Sequence, residues 1–141
     1  MIAMKKKTLI YLFLLVLWLL AACANTGPAT KVNFTITDFA FTPNEFTVPA
    51  GQEITINVTH NGSMQHNFIV MKFGTDAGEM FDEGDRDNVL WEVTLQPGDV
   101  QTVLFNAPEQ PGTYQILCGM PGHMQSGMLG KLIVTERSPT D

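Results

Sequence analysis

The chain has 141 residues, a length that suits one domain, and carries 8 Lys and Arg against 14 Asp and Glu. Three of the basic residues, Lys5, Lys6 and Lys7, crowd the N-terminus, and without residues 1–22 the balance is 5 against 14. Phosphate contacts need Lys and Arg, so this charge excludes nucleic acid as a partner and favours a basic one.

At the N-terminus "MKKK" supplies a basic start, and Leu9–Ala22 is an uncharged apolar run of 14 residues. That length fits the hydrophobic region of a signal peptide and is short for a membrane span. The run closes on "LAAC", Leu20 to Cys23, which resembles a bacterial lipobox. The resemblance implies cleavage before Cys23 and lipidation of its thiol. An uncleaved anchor helix is the alternative, and Met4 is an alternative start. Either way the remainder is exported and tethered to the extracytoplasmic face of a membrane, in the periplasm or at the cell surface, because positive charge stays inside. Residues 1–22 therefore read as a lipoprotein-type signal peptide, 23–30 as a short flexible tether, 31–136 as the folded domain and 137–141 as a C-terminal tail.

Within the domain helical periodicity is absent and period-2 alternation is plentiful. "KVNFTITDFAF" sets Val32, Phe34 and Ile36 on one face, and "EITINVTH" does the same with Ile54, Ile56 and Val58. "EFTVPAG", "VLWEVTL", "DVQTVLFNA", "GTYQILC" and "MLGKLIVTE" read as further strands, and "HNFIVMKF" is apolar almost throughout. Turn pairs recur between them at Pro43-Asn44, Asn61-Gly62, Pro97-Gly98 and Pro111-Gly112. About eight short strands punctuated in this way predict an all-β, Greek-key β-sandwich. Residues 74–88, with six acids and one arginine, lack any period and read as a solvated surface loop, with an electrostatic docking patch as the functional alternative. Its "DEGDRDN" run lacks the spacing and terminal Glu of a calcium loop.

Cysteine usage narrows the chemistry. The chain has two cysteines, Cys23 and Cys118, and in an exported protein a disulfide between them is the ordinary expectation. With Cys23 lipidated, Cys118 is a lone thiol in an oxidising compartment, a hazard unless a metal holds it. Cys118 opens the stretch "CGMPGHMQSGM": His123 follows five residues on, across Pro121-Gly122, and Met128 five further, past Gly127. A strand end followed by a glycine-containing loop can aim thiolate, imidazole and thioether at one point. That softness selects copper, whereas zinc prefers four strong ligands and thioether is not one of them. Two histidines remain to complete the set. His66 heads an apolar strand, where a buried ring wants a partner. His60 reads as sitting at an exposed turn before Asn61-Gly62 and is set aside. Two histidines, one cysteine and a weak axial methionine are the donor set of a trigonal blue-copper electron-transfer site. The bland alternative makes Cys118 and Met128 core fillers and the histidines incidental.

On these residues the sequence resembles a cupredoxin, of the auracyanin type within the azurin/plastocyanin group. The likeness runs from "FAFTPNEFTVPAGQEITINVTHNGSMQHNFIV" through "NVLWEVTLQPGDVQTVLFNAPEQPGTYQILCGMPGHMQSGMLGKLIV", nearly all of the folded part, so that 31–136 is expected to be the cupredoxin domain. The Cys-x4-His-x4-Met spacing is auracyanin-like; plastocyanin has a shorter first gap and azurin a shorter second. The resemblance implies one copper ion per chain, with His66, Cys118 and His123 as equatorial ligands and Met128 axial. It also implies a very weak contact from the Gln65 carbonyl opposite Met128, and hydrogen bonds from Asn67 that tie the ligand loops together. Gly119 and Met120 depart from the family's frequent Thr-Phe after the cysteine.

The function expected is one-electron transfer in a monomer, with no enzymatic step. Met120, Pro121, Gly122, Met124 and Gly127 are expected to form a flat apolar docking patch around the outer edge of His123, with core packing as the alternative for Met120 and Met124. The partners expected are redox proteins: a basic cytochrome c from the acidic loop, and, from the family, a quinol-oxidising complex, a photosynthetic reaction centre or a terminal oxidase. A nitrite reductase or multicopper oxidase would need many more than the three histidines present, and a binuclear copper site two neighbouring cysteines. A copper carrier or buffer without redox duty is the remaining alternative, supported by the methionines near the site.

Overall fold

A computed structural model describes residues 28–137; Cys23, the apolar run before it and residues 138–141 lie outside that range. Among the described residues are nine strands: β1 (Lys31–Thr37), β2 (Ala40–Thr42), β3 (Glu45–Pro49), β4 (Glu53–His60), β5 (His66–Met71), β6 (Val89–Leu95), β7 (Val100–Asn106), β8 (Gly112–Leu117) and β9 (Leu129–Thr135). They form one sheet in the order β2-β1-β4-β7 and a second in the order β3-β9-β8-β5-β6, packed as a Greek-key sandwich. β1 runs parallel to β4 and β3 parallel to β9, while the other pairs are antiparallel. The ninth strand arises because "KVNFTITDFAF" is not one element. The chain turns at Asp38-Phe39, with Phe39 at φ 66, and β2 folds back on β1 with Thr37 opposite Ala40.

The alternation of the sequence becomes the two faces of the sheet. Val32, Phe34 and Ile36 of β1 and Ile54, Ile56 and Val58 of β4 are buried against Phe68, Val70 and Ile116 of the facing sheet. Aromatic rings crowd the centre: Phe68 lies 4.8 Å from Phe34, 5.2 Å from Phe41 and 6.1 Å from Trp91, centroid to centroid. β5 is buried at every position, which is why it is apolar on both faces. Its inward Phe68 and Val70 join the main core, and its outward Ile69 and Met71 join a second cluster with Leu117, Ala77 and Met124, against which Phe81 and Val89 pack.

Three features depart from the sequence expectations. His60 is not at an exposed turn: it is 1% exposed, because it continues the inward register of Ile54, Ile56 and Val58 to the end of β4. Residues 74–88 are not aperiodic throughout. Glu83–Asn88 form a short 3-10 helix capped by Asp82, whose side chain accepts from the Gly84 N–H while Asp85 accepts from the Asp82 N–H. This loop also covers the outer face of the second sheet through Ala77 and Phe81. Arg137, placed in the tail by sequence, donates two hydrogen bonds to the Ala50 carbonyl and so continues the folded body.

Candidate metal centre

β5 and β8 are neighbours, with Ile69 opposite Leu117, so His66 at the start of β5 and Cys118 just past the end of β8 emerge at the same end of the sandwich. The segment from Cys118 to Met128 folds back on itself through its backbone. The Cys118 N–H donates to the Met128 carbonyl at 3.1 Å and the Met128 N–H to the His123 carbonyl at 3.1 Å. Gly122 at φ 81 and Gly127 at φ 94 occupy the left-handed region these reversals require. The main chain therefore brings Cys118, His123 and Met128 together before any metal is considered.

Their side chains converge with His66. The Nδ1 atoms of His66 and His123 are 2.9 Å apart, and the Cys118 Sγ lies 3.7 Å from the first and 3.4 Å from the second. These three donor atoms all fall within 4.8 Å of one another. His66 and Cys118 have no exposure and His123 keeps 8%, so its ring is the one nearest solvent. Met128 is fully buried and belongs to the main core, as does Cys118.

Electrostatics disfavours charge in this pocket as it stands. Burial pushes the Cys118 thiol up, against backbone N–H groups of Met120 and Asn67 that donate to its sulfur, while the Glu92 carboxylate adds to the rise. Burial likewise pushes His66 down, against the hydrogen bond its ring donates to Asp38, with His123 and His60 reinforcing the fall. Two facing ring nitrogens at 2.9 Å need a proton on one of them unless a cation lies between. A soft cation uses all three lone pairs at once, so the donor set fits a thiolate-binding metal.

Asn67 links the ligand segments: its Oδ1 accepts from the Gly119 N–H at 2.7 Å and its Nδ2 donates to Glu92 at 2.7 Å. Glu92 in turn accepts from Arg86 at 2.9 Å, and the Arg86 guanidinium lies 4.7 Å above the Phe81 ring. Of the expected docking residues, Pro121, Gly122 and Gly127 are exposed and Met120 is half-buried. Met124 is a correction: it is buried in the second cluster beneath the loop, because its side chain packs with Ile69 and Leu117 rather than facing solvent. Gln65 is exposed immediately before β5. Sequence reasoning missed Asp38, Phe39, His60 and Phe81. Asp38 Oδ1 is 3.3 Å from His66 Nε2, the Phe39 ring stands edge-on to His123 at 5.2 Å, and His60 stacks on His66 at 5.1 Å. The available signal was register, since Asp38 continues the inward set of β1 as His60 continues that of β4.

Comparisons with known proteins agree with this arrangement. The family described as Cupredoxin-like domain matches residues 10–134. Auracyanin-A of Chloroflexus aurantiacus is 34% identical over 127 residues, covering 79% of this chain and 77% of that protein. Its solved structure, described as a "blue" copper protein, aligns with a TM-score of 0.60 over 77% of this chain and 100% of that one. Dithionite-reduced auracyanin of Roseiflexus castenholzii gives a TM-score of 0.66 at 34% identity, over 77% of this chain and 99% of that one. Plastocyanin of Mercurialis perennis is 31% identical over 102 residues, covering 69% of this chain and 89% of that protein.

Proposed function

This chain belongs to the cupredoxin-like family, and from that premise we propose that it is a one-electron carrier that holds a single copper ion through His66, Cys118 and His123, with Met128 as the weak axial ligand. One observation carries the reading: two imidazole Nδ1 atoms and a buried cysteine sulfur converge within 4.8 Å in a pocket built by the backbone. The solved relatives described as a "blue" copper protein and as a dithionite-reduced auracyanin support both the metal and its redox use. When bound, copper supplies the Cu(II)/Cu(I) couple, with no substrate bond made or broken.

The protein's part is to hold the donors still. Cys118 and His66 are anchored at the ends of paired strands, and Asn67 clamps their loops. His123, the least buried donor, is the exit toward a partner. Phe39, 38% exposed and edge-on to His123, joins Pro121 and Gly122 in the apolar surface at that exit. Such a surface suits brief docking of redox proteins, and the acids of 74–88 favour basic ones such as a cytochrome c. Membrane tethering through Cys23, an extracytoplasmic location and a monomeric state complete the reading, and the Gln65 carbonyl would add a very weak contact to a bound ion. Full burial of His66 and Cys118 argues against a carrier that hands its ion on, since transfer needs accessible ligands.

The test is to add Cu(II) to the full-length chain and record absorption and voltammetry. A strong red-region band with a reversible one-electron wave is expected. A chain that binds Cu(I) alone, without either signal, would be a carrier or buffer.

A further inference from the structure

His66 is held from two sides. Its Nδ1 faces the Cys118 and His123 donors, and its Nε2 lies 3.3 Å from Oδ1 of Asp38. A ligating ring needs its other nitrogen to carry the proton, and the acceptor of that proton fixes both tautomer and orientation. Here the acceptor is a carboxylate side chain, and the surrounding loop is arranged to aim it.

Asp38 follows β1 and His60 ends β4, strands that run parallel with Ile36 opposite His60, so both residues reach the same end of the sandwich. The segment after β4 then wraps the carboxylate. Ser63 donates its backbone N–H to Oδ1 at 2.9 Å and its hydroxyl to Oδ2 at 2.7 Å. The Met64 N–H lies 3.4 Å from Oδ1. His60 holds this segment in turn: its Nδ1 accepts the Gly62 N–H at 3.1 Å, and its ring stacks on that of His66 at 27°. Gly62 leaves no room for a side chain, since an added Cβ would sit 2.5 Å from Asp38 Oδ1 and 3.0 Å from His60 Cε1. Asp38 thus has a fixed carboxylate orientation at a half-exposed position, where an unrestrained acid would turn to water.

We propose that Asp38 is a positioning residue for the metal site: its carboxylate receives the Nε2–H of His66, leaves Nδ1 as the free donor, and sets a negative charge beside the site that favours the oxidised ion. The inference rests on the copper reading above, and His60, Gly62 and Ser63 are the residues that keep the carboxylate in place. A neutral amide at this position removes the charge while keeping the size. Asp38→Asn should therefore shift the Cu(II)/Cu(I) partition about tenfold toward Cu(I), the low end of what outer hydrogen-bond partners of metal ligands contribute. For one electron that is a rise in potential of about 59 mV.

Two measurements on the full-length chain test this. In the metal-free form, nitrogen-15 NMR of the histidine rings should place the His66 proton on Nε2, and Asp38→Ala should redistribute it between the two nitrogens. In the copper-loaded form, Asp38→Asn should keep the thiolate absorption and raise the potential. Gly62→Ala, which drives a methyl group into the carboxylate, should move the potential in the same direction. A His66 tautomer that is unchanged by Asp38→Ala, or a potential that is unmoved by Asp38→Asn, overturns the proposal. Loss of copper binding in the unsubstituted chain would instead defeat the electron-carrier reading, and the metal-free tautomer would still decide the role of Asp38.

Discussion

Gly119, next to Cys118, offers a test of how the acidic loop is fastened to the site. A Cβ at this position would sit 2.7 Å from Phe81 Cδ1, 2.9 Å from Ile69 Cδ1 and 3.1 Å from Phe81 Cε1. Ile69 is fully buried and cannot retreat far, so Gly119→Ala must push the Phe81 ring outward. Overpacking of this kind costs about 1–3 kcal/mol. Phe81→Ala alone forfeits part of a half-buried ring, about 2 kcal/mol, together with about 0.5–1 kcal/mol from the Arg86 guanidinium over its face. In the double variant the clash with the ring has already gone, and only the Ile69 contact remains. The two effects should therefore sum to at least about 1 kcal/mol less than additivity requires. Urea unfolding of the metal-free full-length chain reads this directly, with Gly119→Ala lowering the midpoint by about 1 M at unchanged slope. If the two losses add to within about 0.5 kcal/mol, Phe81 does not occupy the space above Gly119 and the loop is not fastened there.

The remaining predictions concern the ligands and their protons. Cys118→Ser should abolish the blue absorption and leave the far-ultraviolet circular dichroism of the sandwich intact; a surviving band would remove Cys118 from the site. Met128→Gln should keep the colour and lower the potential, because a harder axial donor favours Cu(II), and an unchanged potential would mean that Met128 is not axial. Stability of the metal-free chain should fall at both ends of the pH scale. His66 is held below its ordinary 6.5, so the unfolded chain binds more protons there and stability is lost as pH falls below about that value. Cys118 is held above its ordinary 9.0, so the unfolded chain releases its proton first and stability is lost as pH rises past about that value. Thermal unfolding across this range checks both arms, and Cys118→Ser should weaken the alkaline one alone, leaving the share of Tyr114, whose hydroxyl burial also holds above its ordinary 10.0.

The sheets were legible because their alternation is a direct consequence of half-buried strands: Val32, Phe34, Ile36 and Ile54, Ile56, Val58 face the core as their period predicts. The convergence of His66, Cys118 and His123 was legible for a different reason, since Cys118 and His123 lie close in sequence and His66 was the histidine at the head of a buried strand. His60 was misread because Asn61-Gly62 signals a turn, and a turn signal says nothing about the residue before it. Carrying the count of Ile54, Ile56 and Val58 one step further places it inside. Asp38 escaped by the same route, hidden in a run that looked like one strand. Phe81 could not be found by pattern at all. Its loop has no period, and only the folded backbone reveals that it lies over Gly119.

That loop changes how the site's rigidity is explained. The outward face of β5 would be an exposed apolar strip, Ile69 and Met71, were it not covered by Ala77 and Phe81. The same cover begins a chain of contacts that ends at the thiol. Phe81 packs under Arg86, Arg86 donates to Glu92, Glu92 accepts from Asn67, and Asn67 both accepts from the Gly119 N–H and presents its own N–H to the Cys118 sulfur. On the opposite flank, Ser63, Asp38 and His60 bracket His66. The two strand-end ligands are thus braced from outside the sandwich as well as by the core beneath them. Only His123, on the loop and nearest the surface, depends on the turn glycines and Phe39 for its place. Such a division suits the electron carrier proposed above, because the two strand-end donors are fixed while the one proposed to face a partner sits in adaptable surroundings.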